Sequence, residues 1–340
     1  MNAGEGFMEN NYRKDFRYAR EVISNSSSSI FMNNDYDMDR PYWATTQNLN
    51  YIKDLCKNND VKTAFTILGS ADPIFELIGV GASDIVATDV NRFAKYIFYL
   101  KKAAFKTLSE KEYLEFIFNP NSVNFLSDKI YQRKVINGFS LAEVEYKKFW
   151  DKMFNYYTNR DLLYTFFKTA FSETKVNDRK NYLNYINDKK YNDVRDNIDK
   201  VNIQLYDCDA LEVLKKSDKI YDFIDISNIL IFVLQVQCGL NISLFKKYIH
   251  DLEIVVENRL KKDGVFIADY MFRTVSYKHY LNYNLDNMSN MFQWIYAVVE
   301  QTVAEYFDTK GIKYGAIPIT NNSSHINNIG DQVVLAKIKK

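Results

Sequence analysis

Cysteine is nearly missing from this chain of 340 residues: Cys56, Cys208 and Cys238 stand far apart and form no CxxC pair. That spacing argues against a zinc site or a disulfide framework and for reduced thiols in a cytoplasmic setting. An excess of one charge is missing too, with 44 basic against 43 acidic side chains and a formal net charge of +1. A dedicated nucleic-acid binder carries a basic surplus, so no nucleic-acid partner is expected, although the balance leaves room for a local basic patch. No apolar run is long enough to span a bilayer. The most apolar stretch, residues 224–234, is broken by Asp225, Ser227 and Asn228. The opening residues, MNAGEGFMENNYRKDF, lack the apolar core of a secretory signal. His250, His279 and His325 stand singly, without metal-ligand spacing, so no metal is expected. The patterns GxSxG, GxxxxGKS/T and HExxH are also absent.

What the chain has in quantity is apolar and aromatic surface. Hydrophobic residues make up 47% of it, and 26 Tyr and 24 Phe promise a core packed largely by rings. Residues 8–24 place Phe16, Ala19 and Ile23 at helical spacing, and a second helix is expected over 46–57. From Val61 the rhythm becomes strand, helix, strand, helix. KTAFTIL is followed by PIFELIGVG entered through Pro73, then by SDIVATDV and RFAKYIFYLKKAAFKTL. Residues 109–200 interrupt this alternation with helical segments rich in Tyr, Phe and Lys, and a lid at the carboxyl edge of the sheet is expected of them. The rhythm returns with VNIQLYD and KIYDFIDIS. A helix over 243–261 should end at Lys261-Lys262-Asp263-Gly264, before the strand GVFIADY. A helix over 287–307 leads to a closing pair of strands, GIKYGAIPI and QVVLAKIKK. The expected architecture is an N-terminal helical segment, 1–60, then an α/β domain over 61–340. That domain is a doubly wound, Rossmann-like, mostly parallel sheet with a helical insertion at 109–200.

Ligands of such sheets bind at the carboxyl ends of the strands. Gly69 allows close approach of backbone there, and Ser70 and Asp72 add polar groups at a helix start. Asp89, twenty residues past Gly69, ends the second strand together with Asn91, where a carboxylate can accept both hydroxyls of a ribose. Asp72 and Asp89 could equally cap the helices that follow them. A pyrophosphate calls for repeated glycines, whereas a nucleoside without phosphates needs one close approach; the single Gly69 therefore favours S-adenosylmethionine over a dinucleotide. Asp209 and Ala210 follow the third strand, where the acid can hold an adenine amino group and the small residue leaves room for the ring. Asp225, Ser227 and Asn228 close the fourth and face the reaction centre. Tyr270, past the fifth, is a candidate for facing an acceptor.

The series ILGSAD, ATDVN, LYDCDALEVL, YDFIDISNIL and GVFIADY resembles a class I S-adenosylmethionine-dependent methyltransferase-type fold. More narrowly, VATDVNRFAKYIFYLKKAAFKTLSEKEYLEFI and the Ser227–Leu230 segment SNIL are similar to the betaine-lipid aminocarboxypropyl transferases and their relatives. That resemblance implies transfer of the 3-amino-3-carboxypropyl group of S-adenosylmethionine to a small-molecule or lipid acceptor. Methyl transfer, and a non-catalytic module keeping the fold, stand as alternatives.

Overall fold

The computed structural model describes residues 3–28, 41–45, 47–57, 60–118, 128–157, 166, 182–226, 229–272, 291–314 and 332–339. The strands are β1 (Thr63–Ile67), β2 (Asp84–Thr88), β3 (Asn202–Tyr206), β4 (Tyr221–Asp225), β5 (Leu260–Phe272), β6 (Lys310–Tyr314) and β7 (Gln332–Ile338). They form one seven-stranded sheet in the order β3-β2-β1-β4-β5-β7-β6. The first five run parallel, and β7 lies antiparallel to both β5 and β6.

Side chains alternate across a strand with a period of two, and the sequence uses both faces. Ala64, Ile85, Phe223 and Val265 enter one hydrophobic cluster, while their neighbours Phe65, Val86, Ile224 and Phe266 enter a second on the other side. The first cluster takes in helices α1 (Ala3–Ser28), α2 (Asn50–Cys56), α3 (Asp72–Gly79) and α4 (Ala94–Thr107). It also includes α5 (Glu110–Phe118), α6 (Lys129–Gly138), α7 (Val144–Tyr156) and α8 (Asp188–Asn197). The second is built by α9 (Ala210–Lys216), the short α10 (Ile229–Phe232), α11 (Ile242–Arg259) and α12 (Met291–Tyr306). Helices on both faces of a mostly parallel sheet make this the doubly wound α/β arrangement the alternation predicts.

The N-terminal segment is woven into the first face. Phe16, Ala19 and Ile23 are buried, the Trp43 indole N–H donates to the Ile117 carbonyl at 2.6 Å, and Tyr51 and Ile52 of α2 are fully covered. The described helices of the insertion pack against α3, α4 and α1 as a further layer on that face. The expected lid at the carboxyl edge falls partly on residues 158–165 and 167–181, outside the described residues. Gly138 of α6 permits the closest approach in this layer, since a β-carbon there would stand 2.3 Å from the Ala103 carbonyl oxygen of α4.

One boundary departs from expectation. The helix expected to run to Lys261 ends at Arg259, and β5 begins at once with Leu260 beside Tyr221. Register then slips until Val265 faces Phe223, and Asp263 takes a left-handed φ of 64° in the slip. The Lys-Lys-Asp-Gly run that resembles a helix end is a bulge inside a strand.

Candidate ligand site at the carboxyl edge

From β1 the chain winds outward to β2 and β3, then returns past β1 to β4. The direction of winding reverses between β1 and β4, and the crevice beyond the carboxyl ends at such a point is where ligands of these sheets bind. Register sets Ile67 level with Thr88 and Thr66 level with Asp225, so the loops after β1, β2 and β4 leave at one height.

Gly69 and Ala71 in the first loop both adopt left-handed backbone, with φ of 50° and 70°. For Gly69 this is free, and nothing lies within 4 Å of where a β-carbon would stand, so open space adjoins its backbone. For Ala71 the conformation costs about 1–2 kcal/mol. A buried clamp sustains it. Lys101 of α4 and Asp72, both fully buried, pair at 2.7 Å, and the ammonium also donates to the Ser70 carbonyl at 2.8 Å. The Asp72 carboxylate further accepts from the Thr45 N–H at 2.6 Å, the Ser70 hydroxyl at 2.8 Å and the Tyr185 hydroxyl at 2.7 Å. A buried ion pair persists only when such hydrogen bonds replace water around both charges.

This network corrects the expected role of Asp72. With no exposed surface and both oxygens engaged, it cannot meet a ligand. Nor does it cap α3, whose first turn it occupies and whose cap residue, Ala71, makes no side-chain capping bond. It braces the loop from beneath, and the Ser70 hydroxyl is spent on it. The Ser70 backbone N–H, by contrast, has no acceptor among the described residues.

Asp89 is brought directly to Gly69. Its Oδ2 accepts the Gly69 N–H at 2.9 Å and its Oδ1 accepts the Asn91 N–H at 2.8 Å. The capping alternative for Asp89 does not hold, because α4 starts at Ala94 without a side-chain cap, and it is Asn91 Oδ1 that accepts the Phe93 N–H at 2.8 Å. Asp209 does cap its helix, accepting from Leu211 and Glu212 of α9. Its carboxylate is also tied to Gln237 Nε2 at 3.1 Å and to the Tyr248 hydroxyl at 3.3 Å. Ala210 is buried in the second cluster. These partners give Asp209 a structural role as well, and its side chain is only half-buried.

At the end of β4, Asp225 is buried and accepts the Tyr51 hydroxyl at 2.7 Å. Cys56, at the end of α2, has its thiol pushed up to about 12 by burial and by the Asp225 charge, so it stays protonated and inert. Ser227 and Asn228 lie outside the described residues. Tyr270 sits in β5 three residues beyond Ile267, the residue level with Asp225; its side chain lies outside the described residues.

The residue patterns do not single out Lys101, Tyr51, Thr45 or Tyr185. Lys101 alone left a signal: it shares the helical face of Ile97 and Phe105, both fully buried, so the spacing marks a covered lysine. Tyr51 meets an acid 174 residues away, a pairing that no local pattern encodes. Among the described residues no group of three or more His, Cys, Asp or Glu could hold a metal ion. Compared with models of known protein families and with curated protein sequences, the chain matches none.

Proposed function

We propose that this chain is an S-adenosylmethionine-dependent transferase of methyltransferase-type fold that moves the 3-amino-3-carboxypropyl group to a small-molecule or lipid acceptor. The observation that carries the reading is the bond from the Gly69 N–H to Asp89. It joins the open backbone of the first loop to the acidic end of β2, beside the point where the winding reverses. The strand order, with its reversed last hairpin, is compatible with that fold type. The loop suits a ligand without phosphates, because it has one N–H without an acceptor among the described residues, at Ser70, instead of a ring of them.

When bound, S-adenosylmethionine supplies a carbon activated by a sulfonium leaving group. Asp89 would accept the ribose hydroxyls, and the Ser70 N–H would donate to the carboxylate of the methionine arm. Asp225 would take the proton of the acceptor's attacking atom, with the Tyr51 hydroxyl fixing the orientation of that carboxylate. Ser227, Asn228 and Tyr270 are the candidates for the acceptor side. The protein's task is mostly positioning, since the leaving group is already good.

Incubation with S-adenosylmethionine and candidate acceptors, read by mass spectrometry, tests the reading. Methylthioadenosine is the expected product; S-adenosylhomocysteine would shift the assignment to methyl transfer. Asp89→Ala should weaken S-adenosylmethionine binding at least tenfold by calorimetry while the fold survives. No product together with no binding by the unaltered chain would sink the proposal and leave the non-catalytic module.

A further inference from the structure

A cleft of about 590 Å³ opens between α1 and α7 and shares no residue with the site above; Tyr12, Arg13, Lys148, Asp151, Lys152 and Asn155 line it. Two lysines of α7, Lys148 and Lys152, line it beside one carboxylate, Asp151. Lys148 Nζ lies 5.7 Å from the centre of the Tyr12 ring, and Lys152 Nζ lies 4.4 Å from that of Phe16. Cation–π contacts of this kind hold an ammonium in place without neutralising it. Neither lysine has a carboxylate within ion-pair distance among the described residues. Lys148 and Lys152 stand four positions apart on α7, so they share a face and repel one another.

Glu145, three positions before Lys148 on α7, is near enough to interact with its charge, and the other nearby acids are engaged elsewhere. Asp15 of α1 turns inward, accepting the Tyr96 hydroxyl at 2.6 Å and pairing with Arg92 at 2.8 Å. Asp151 accepts from the Asn155 amide at 3.3 Å. The outer surface of α1 adds exposed Lys14, Arg17 and Arg20, the last 4.5 Å above the Tyr156 ring. This surface carries several cations close together, although the chain is balanced in total charge.

We propose that this cleft binds a phosphate-bearing ligand. A single carboxylate would match one of the two lysines, whereas a phosphate presents several charged oxygens to both. The Tyr12 hydroxyl and the Asn155 amide supply neutral donors beside them. The volume exceeds that of a lone anion and lies within the usual range of small-molecule sites, about 300–1,000 Å³. The bearer of the phosphate is therefore a phosphorylated small molecule or a phospholipid headgroup.

The test uses the full chain and two probes: inorganic pyrophosphate by calorimetry, and flotation with vesicles of phosphatidylglycerol and phosphatidylcholine against phosphatidylcholine alone. Binding that weakens as salt rises, and that falls at least tenfold in Lys148→Ala/Lys152→Ala, is the expected result. Lys148→Arg/Lys152→Arg should retain it, and Lys152→Gln alone should give a partial loss, so a folding defect in one variant leaves the others decisive. Pyrophosphate binding without flotation assigns a soluble ligand; flotation without pyrophosphate binding assigns a headgroup. The proposal is overturned if the unaltered chain binds neither probe, or if the folded double alanine variant binds as the unaltered chain does. Tighter binding of a single-stranded RNA, lost in the same variant, would overturn it in favour of a nucleic-acid surface.

Discussion

Lys101 and Asp72 do for the first loop what repeated glycines do elsewhere: they fix its backbone, but from below and by charge. Removing one partner strands the other without water, which costs about 3–5 kcal/mol for a buried pair. Lys101→Met should therefore lower stability by that order in urea denaturation, and Lys101→Met/Asp72→Asn should recover part of the loss. Equal stability of Lys101→Met and the unaltered chain would rule the clamp out. Glu76, one turn along α3, sets a second residue-scale behaviour. Burial pushes its carboxyl from 4.5 up to about 8, even though the Tyr185 N–H donates to it at 3.1 Å. The folded chain keeps that proton where the unfolded chain has released it, so this group's stability contribution is full below about pH 4.5. It is lost as pH rises through about 8, with a slope of up to ~1.4 kcal/mol per pH unit between the two values. Glu76→Gln should flatten the slope, which paired urea titrations at about pH 5 and about pH 8 would measure. At this scale the strand-ending acids were legible because their positions in the chain are regular. Their partners were not: Asp72 and Asp209 carry the same letter as Asp89, and only the fold separates brace, cap and candidate site.

Elements were more legible than residues. Short apolar runs in TAFTI, DIVAT and YDFID mark strands covered on both faces, and helical spacing in α1, α4 and α12 gives helices close to those expected. The start of β5 was not legible, because basic residues followed by Asp-Gly are the ordinary chemistry of a helix end, and only pairing with β4 makes the run a bulge. Nor does hydropathy say which strands are neighbours, so the insertion of β7 between β5 and β6 came from the structure alone. The α4–α6 contact gives a prediction at this level. Gly138→Ala would drive a methyl group into the Ala103 carbonyl, and overpacking of this kind costs about 1–3 kcal/mol. A shift in the urea midpoint without a change in slope would show it; an unchanged midpoint would mean that α6 moves freely on α4.

For the whole molecule, the boundary expected near residue 60 does not mark a separable piece. Thr45 donates to Asp72, Trp43 to Ile117, and Tyr51 to Asp225. A chain beginning at residue 61 would leave the Asp72 carboxylate short of one donor and strip α3 of its contact with α2. Such a truncation should be aggregated or without a cooperative thermal transition by circular dichroism, and a sharp transition at the temperature of the intact chain would contradict this. The bond from Tyr51 to Asp225 also bears on how the protein is made. Synthesis delivers α2 early and β4 late, and the two groups stand 174 positions apart in the chain. Until β4 has left the ribosome, Tyr51 has no Asp225 to meet and α2 has an incomplete surface to cover, so the carboxyl edge of the sheet closes from its oldest segment onto one of its newest. Codons that slow translation just past β4, or a chaperone that shelters the first sixty residues, would act on the final yield without touching any residue of the candidate site.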